Sequence, residues 1–150
     1  MMVASTKTRS PPSPATSPGK DAPVVLVVDD EKEVRLLLVK MLGHKYTVFV
    51  ASDGQEALDV LAQIPRPAAI ILDIAMPHLD GLTLSRRLKA NPRIKTNRQV
   101  QMVPILFLTG RAGLADVLAG INAGARHYMT KPFSMETLLA HVDAMVSGHA

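Results

Sequence analysis

The sequence predicts an α/β fold, a parallel sheet with helices on both faces, and three observations carry that prediction. Short apolar runs of strand length recur along the chain. Segments with a helical apolar period follow them, so that strand and helix alternate five times. The runs are mostly apolar throughout rather than alternating, as in strands buried on both faces. Such alternation gives parallel strands joined by helical crossovers.

The first run is VVLVV at 24–28, and it ends in Asp29 and Asp30. A helical stripe follows, with Val34, Leu37, Leu38, Met41 and Leu42 on the inward side and Gly43 where the helix stops. YTVFV at 46–50 reads as the second strand. Ser52 or Asp53 caps a second helix with the stripe Ala57, Leu61 and Ile64, and Pro65 and Pro67 end it. AAIIL at 68–72 is the third strand, and it ends in Asp73. The third helix spans about Asp80 to Ala90, with Leu84 and Leu88 inward. VPILFL at 103–108 is the fourth strand, ending in Thr109, and a fourth helix covers roughly 112–122. A short strand at 125–129 leads to Thr130, Lys131 and Pro132. Ser134 caps the last helix, which carries Leu138, Leu139, Val142, Met145 and Val146.

Composition bounds the function. The chain has 150 residues, 47% hydrophobic and 20% charged, which suits one globular domain with its own core. Residues 1–22 are rich in Ser, Thr, Pro and Ala and lack large apolar side chains, so they read as a disordered basic tail before a domain at 23–148. Their hydroxyl-rich, basic character also fits a transit peptide, a less favoured reading. The absence of cysteine excludes disulfides, thiolate metal sites and a cysteine nucleophile. No apolar run is long enough to span a membrane, and no secretory h-region opens the chain, so the expected setting is the cytoplasm. The formal charge is +4, but Lys7, Arg9 and Lys20 all precede the first acid, leaving 14 basic against 13 acidic residues in the remainder. A body so near neutral has no electrostatic footprint for direct nucleic-acid binding.

In a parallel sheet of this kind the ligand site lies beyond the carboxyl ends of the strands. The polar residues stand there: Asp29 and Asp30 after the first strand, Asp73 after the third, Thr109 after the fourth and Lys131 after the fifth. Three carboxylates converging on one rim repel each other unless a cation neutralises them. The oxygen-only donor set favours Mg²⁺, with Mn²⁺ as an alternative, over Zn²⁺. A carboxylate in such a place can accept a phosphoryl group, whose spread negative charge the cation, Lys131 and Thr109 would hold. Taken singly, the Asp29–Asp30 pair reads as a helix cap, Thr109 as a strand-end hydroxyl and Lys131 as a surface charge. Their joint placement argues for the site, and for a cis Lys131–Pro132 bond.

Four stretches, VVDDE (27–31), LDIAMPHLDG (72–81), LTG (108–110) and HYMTKPF (127–133), resemble the receiver domains of two-component response regulators. The resemblance implies a doubly wound, flavodoxin-like sheet of order 2-1-3-4-5. It makes Asp73 the phosphoacceptor and Asp30 a direct Mg²⁺ ligand, with Asp29 acting through water and Ala75 offering its carbonyl. It gives Thr109 and Lys131 to the phosphoryl group, and makes Tyr128 the aromatic switch that follows Thr109. It implies a histidine kinase or histidine phosphotransfer protein as donor. No output domain is seen after residue 146, so a downstream protein target or a phosphorelay is expected. Two departures stand out. Segment 91–102 is long, and no acid occurs between Asp80 and Asp116 while Arg86, Arg87, Lys89, Arg93, Lys95, Arg98 and Arg111 are basic. Arg126 and His127 stand before Tyr128, where acids are usual in the family.

Three rival readings fit less well. A phosphohydrolase of the haloacid-dehalogenase type needs Asp-x-Asp after the first strand, and here the acids are adjacent. A pseudo-receiver would lack part of the acid, hydroxyl and lysine set. A flavin-binding protein would carry a Gly-, Ser- and Thr-rich loop after the first strand, where this chain is acidic.

Overall fold

The computed structural model describes residues 12–73, 103–109 and 127–147, without the side chains of residues 109 and 128. Its elements are β1 (Val24–Val28), α1 (Lys32–Leu42), β2 (Thr47–Ala51), α2 (Gly54–Leu61), β3 (Ala69–Asp73), β4 (Ile105–Thr109), β5 (His127–Thr130) and α3 (Met135–Ser147). The five strands form one parallel sheet in the order β2-β1-β3-β4-β5. That is the doubly wound order: the chain steps outward from β1 to β2, then returns past β1 to β3. The expected third and fourth helices, and segment 91–102, lie outside the described residues.

The sheet has a core on each face because the side chains of each strand alternate between faces. Val25, Val27, Val48, Ile71, Leu106 and Leu108 pack against Leu38 and Leu42 of α1 and Leu138, Val142 and Met145 of α3. Leu26, Val28, Phe49, Ile70, Leu72 and Phe107 pack against Ala57 and Val60 of α2. Leu38 and Leu138 are fully buried. Truncating either to alanine costs about 2–5 kcal/mol through lost burial and the cavity left behind.

Local chemistry sets the helix ends. Asp53 caps α2, its carboxylate accepting from the Glu56 amide at 2.8 Å. Glu56 reaches back to the Ser52 amide at 2.6 Å, a reciprocal arrangement that closes the first turn. Ser134 Oγ accepts from the Thr137 amide at 3.1 Å at the start of α3. In α1, Glu33 lies in the first turn and Lys40 in the last, the order that complements the helix dipole.

Several particulars differ from the sequence reading. Leu37 is exposed, as is Leu36, because a run of three leucines spans a wider arc than the sheet covers and only Leu38 is buried. α2 ends at Leu61, before the prolines, and buries Val60. β4 begins at Ile105 because Pro104 has no N–H to give; its carbonyl accepts from the Ile70 amide at 3.0 Å. β3 extends to include Asp73, one residue beyond the expected end. Within the 1–22 tail, Thr16 forms an antiparallel bridge with Val48, supplying partners to the outer edge of β2.

Candidate functional site

The site stands where the strand order reverses, at the carboxyl ends of β1 and β3. Val28 pairs with Leu72, which sets Asp29 beside Asp73 one step further on. Asp73 pairs with Leu108 and Thr109 with Thr130, so Thr109 and Lys131 follow on the same rim. The register thus brings the predicted strand-end residues into one row. The Lys131–Pro132 peptide bond is cis.

Asp29, Asp30, Glu31 and Asp73 offer carboxylate oxygens that all lie within 4.8 Å of one another. Asp29 is fully buried and Asp73 nearly so, whereas Asp30 and Glu31 are exposed. Lys131 supplies the positive charge. Its Nζ lies 3.3 Å from Asp29 Oδ2, 3.5 Å from Glu31 Oε1 and 3.6 Å from Asp73 Oδ2. Burial alone would lower the lysine pKa, but the carboxylates of Asp29, Asp73 and Glu31 outweigh it and hold the ammonium above its ordinary value. Asp29 is pushed up, first by burial and further by the charge of Asp73, although the Glu31 amide and Lys131 oppose this.

Asp29 has two roles in the geometry. Its Oδ1 accepts from the Glu31 amide at 2.9 Å just ahead of α1, whose N-cap is Glu31 with no side-chain cap bond, so neither acid of the pair caps the helix. Its Oδ2 faces Lys131. Arg35 on α1 donates to the Asp29 carbonyl at 2.8 Å, tying the peptide between the two acids to the helix. Glu31 and Arg35 are the members that sequence reasoning passed over. Glu31 directly follows the acid pair and Arg35 stands one helical turn further on, positions that in the sequence alone mark only the start of a helix.

The donor set fits a hard divalent cation. Every ligand offered is an oxygen, two of the acids are buried side by side, and two face solvent for entry. Ala75 lies outside the described residues. Thr109 and Tyr128 are placed by their backbones in β4 and β5, Tyr128 paired with Phe107.

A doubly wound parallel sheet with acids and one lysine at its switch point defines a class of α/β domains built around a rim carboxylate. The family model of the response regulator receiver domain matches residues 25–143, and the chain belongs to that family, the receivers of two-component systems. It is 42% identical over 123 residues to the response regulator MprA of Mycolicibacterium vanbaalenii, a match covering 81% of this chain and 49% of that protein. The MprA of Mycobacterium avium matches at 42% over the same length, covering 50% of that protein. The chain therefore spans about half the length of the curated relatives it matches. Among solved structures, a putative response regulator from Chloroflexus aurantiacus superposes with a TM-score of 0.70 at 34% identity, covering 85% of this chain and 99% of that one. The receiver domain of sensor histidine kinase PA1611 from Pseudomonas aeruginosa, with magnesium coordinated in its active-site cleft, superposes with a TM-score of 0.70 at 27% identity, covering 84% and 98%. Among the described residues no helix is long and apolar enough to cross a membrane.

Proposed function

We propose that this domain accepts a phosphoryl group on Asp73 from a phosphohistidine of a histidine kinase or phosphotransfer protein, and passes the event to a downstream protein or along a relay. The observation that carries the reading is Lys131, whose ammonium reaches both the nearly buried Asp73 and the fully buried Asp29. In the transfer, a carboxylate oxygen of Asp73 attacks phosphorus. The bond from phosphorus to the donor imidazole nitrogen breaks, and its electron pair returns to that nitrogen, which takes a proton. An acyl phosphate remains on Asp73. Lys131 and the Thr109 hydroxyl hold the phosphoryl oxygens, and Tyr128 on the next strand repacks when Thr109 moves. The domain acts catalytically only on itself, in its own phosphorylation and dephosphorylation.

Asp30, Asp73 and the Ala75 carbonyl would hold Mg²⁺, with Asp29 helping through water and Mn²⁺ as a substitute. When bound, the ion would supply positive charge to the phosphoryl oxygens. The receiver unit is taken as residues 23–148, preceded by the 1–22 tail. The proposed setting is the cytoplasm, with neither membrane insertion nor direct nucleic-acid contact. The test is intact-mass spectrometry after incubation with acetyl phosphate and Mg²⁺. One phosphoryl group is expected on the wild type and none on Asp73→Asn; equal labelling of both removes Asp73 as the acceptor.

A further inference from the structure

β2 is the outermost strand on its side of the sheet. The Thr47 amide points inward and donates to the Pro23 carbonyl at 2.9 Å, so the Val48 amide points outward. An open edge of this kind pairs with whatever extended segment reaches it. Here the Ala15 amide donates to the Val48 carbonyl at 2.6 Å, and the Val48 amide donates to the Thr16 carbonyl at 3.1 Å. The Thr16 hydroxyl donates to the Tyr46 carbonyl at 3.0 Å and also accepts from the Val48 amide at 3.3 Å. Main chain and side chain of one threonine thus serve two successive outward groups of the edge.

The fit extends to shape. A Cβ on residue 43 would lie 2.5 Å from the Thr16 methyl carbon, so the bare backbone of Gly43 is what leaves room for that methyl. The pairing is also bounded. Pro14 and Pro18 have no N–H, which prevents the segment from growing into a full edge strand. Ser13 to Ala15 and Ser17 to Asp21 are exposed. A pairing of two residues flanked by exposed chain is the kind of contact that can open locally without the rest of the sheet.

We propose that the outer edge from Gly43, at the end of α1, to Val48, at the start of β2, is a docking site for an extended peptide, and that its occupant is the chain's own Ala15–Thr16 segment, which binds and releases as a strap. Recognition is by strand addition: two main-chain bonds to Val48, a hydroxyl for the Tyr46 carbonyl and a methyl for the space over Gly43. Threonine satisfies both side-chain demands; valine lacks the donor and serine the methyl. The dock lies near the amino end of β2, away from the rim of Asp29 and Asp73. It meets Tyr46, whose phenol donates to Asp143 on α3, so the strap adjoins the residue that ties β2 to that helix.

Amide hydrogen exchange of the full chain tests this, read at Val48 with Thr47 and Val25–Val28 as internal references. In the wild type the Val48 amide is protected. Thr16→Val speeds its exchange by about tenfold, the factor set by losing one hydrogen bond, and leaves the references unchanged. A free peptide spanning residues 12–20, added in excess to Thr16→Val, slows Val48 again, whereas the same peptide with valine for the threonine does not. Equal Val48 exchange in wild type and variant overturns the proposal. So does an equal rise at Val25–Val28, which marks loosening of the whole sheet, or a lack of rescue by the threonine peptide.

Discussion

Lys131 reaches from the end of β5 across the sheet rim to Asp29 at the end of β1, its Nζ 3.3 Å from an oxygen of a fully buried carboxylate. The contact joins residues 102 positions apart and passes over Asp73 on the way. Its ammonium offsets the charge of two adjacent buried acids.

Lys131→Ala should therefore destabilise the metal-free protein. Removing one partner of a buried ion pair costs about 3–5 kcal/mol. Lys131 keeps 21% of its side-chain surface exposed, so the expected loss is smaller, about 2–3 kcal/mol. Excess Mg²⁺ should recover much of it, because a cation held by the same carboxylates takes over the neutralisation. Urea unfolding with EDTA and with Mg²⁺ measures both. An equal loss in the two conditions would separate Lys131 from the cation site.

Asp30 differs from its neighbour in being exposed and facing solvent. Asp30→Ala should leave the fold intact, and relief of repulsion can raise the stability of the metal-free form slightly. The rise in melting temperature that Mg²⁺ gives the wild type should shrink or vanish, along with labelling by acetyl phosphate. A Mg²⁺-dependent rise equal to the wild type's removes Asp30 from the ligand set.

Much of this was legible in the sequence for a physical reason. A strand buried on both faces must be apolar at every position, so VVLVV and AIIL announce themselves, and the acids that end them mark the rim. What failed to show depends on tertiary contact. LLL at 36–38 does not say which leucine the sheet will cover, and Leu36 and Leu37 are left outside. Nothing in PATSP at 14–18 signals that Thr16 will meet Tyr46 and Val48 some thirty positions on. Glu31 and Arg35 read as ordinary helix-start residues until the fold sets one beside Lys131 and the other on the Asp29 carbonyl.

Glu31 competes for Lys131. Its side chain is 58% exposed and its carboxylate lies 3.5 Å from the ammonium, so it engages the charge that the proposed phosphoryl group would use and adds negative charge at the mouth. Glu31→Gln should change stability by under about 1 kcal/mol, as exposed pairs do. It should speed labelling of Asp73 by acetyl phosphate several-fold, most clearly at low salt where the repulsion is least screened. Rate measurements across ionic strength test it; an unchanged or slower rate at low salt excludes the competition.

The Tyr46–Asp143–Lys45 cluster ties the start of β2 to α3 and predicts how stability follows pH. Asp143 accepts from the Tyr46 hydroxyl and from Lys45 Nζ at 2.9 Å. Partial burial would raise its pKa, but these two donors outweigh that and hold it below its ordinary value of 3.8. A depressed carboxylate adds stability that is complete above the unfolded value and is lost as pH falls through the folded one. Tyr46 runs the other way: burial, reinforced by Asp143, raises its phenol above the ordinary value of 10.0. Its contribution is complete below pH 10.0 and declines above it, because the unfolded phenol ionises first. Asp143 is 39% exposed and Lys45 60%, so Asp143→Asn should cost only about 1 kcal/mol at neutral pH. The gap between wild type and Asp143→Asn should narrow as pH falls below the ordinary carboxyl value of 3.8 and close once pH passes the lowered folded value, where the wild-type carboxyl is itself protonated. Denaturant midpoints of the two proteins from pH 2 to pH 7 trace this. A gap that persists undiminished in acid would mean that the asparagine disturbs packing, and that the charge of Asp143 contributes nothing to holding α3 on β2.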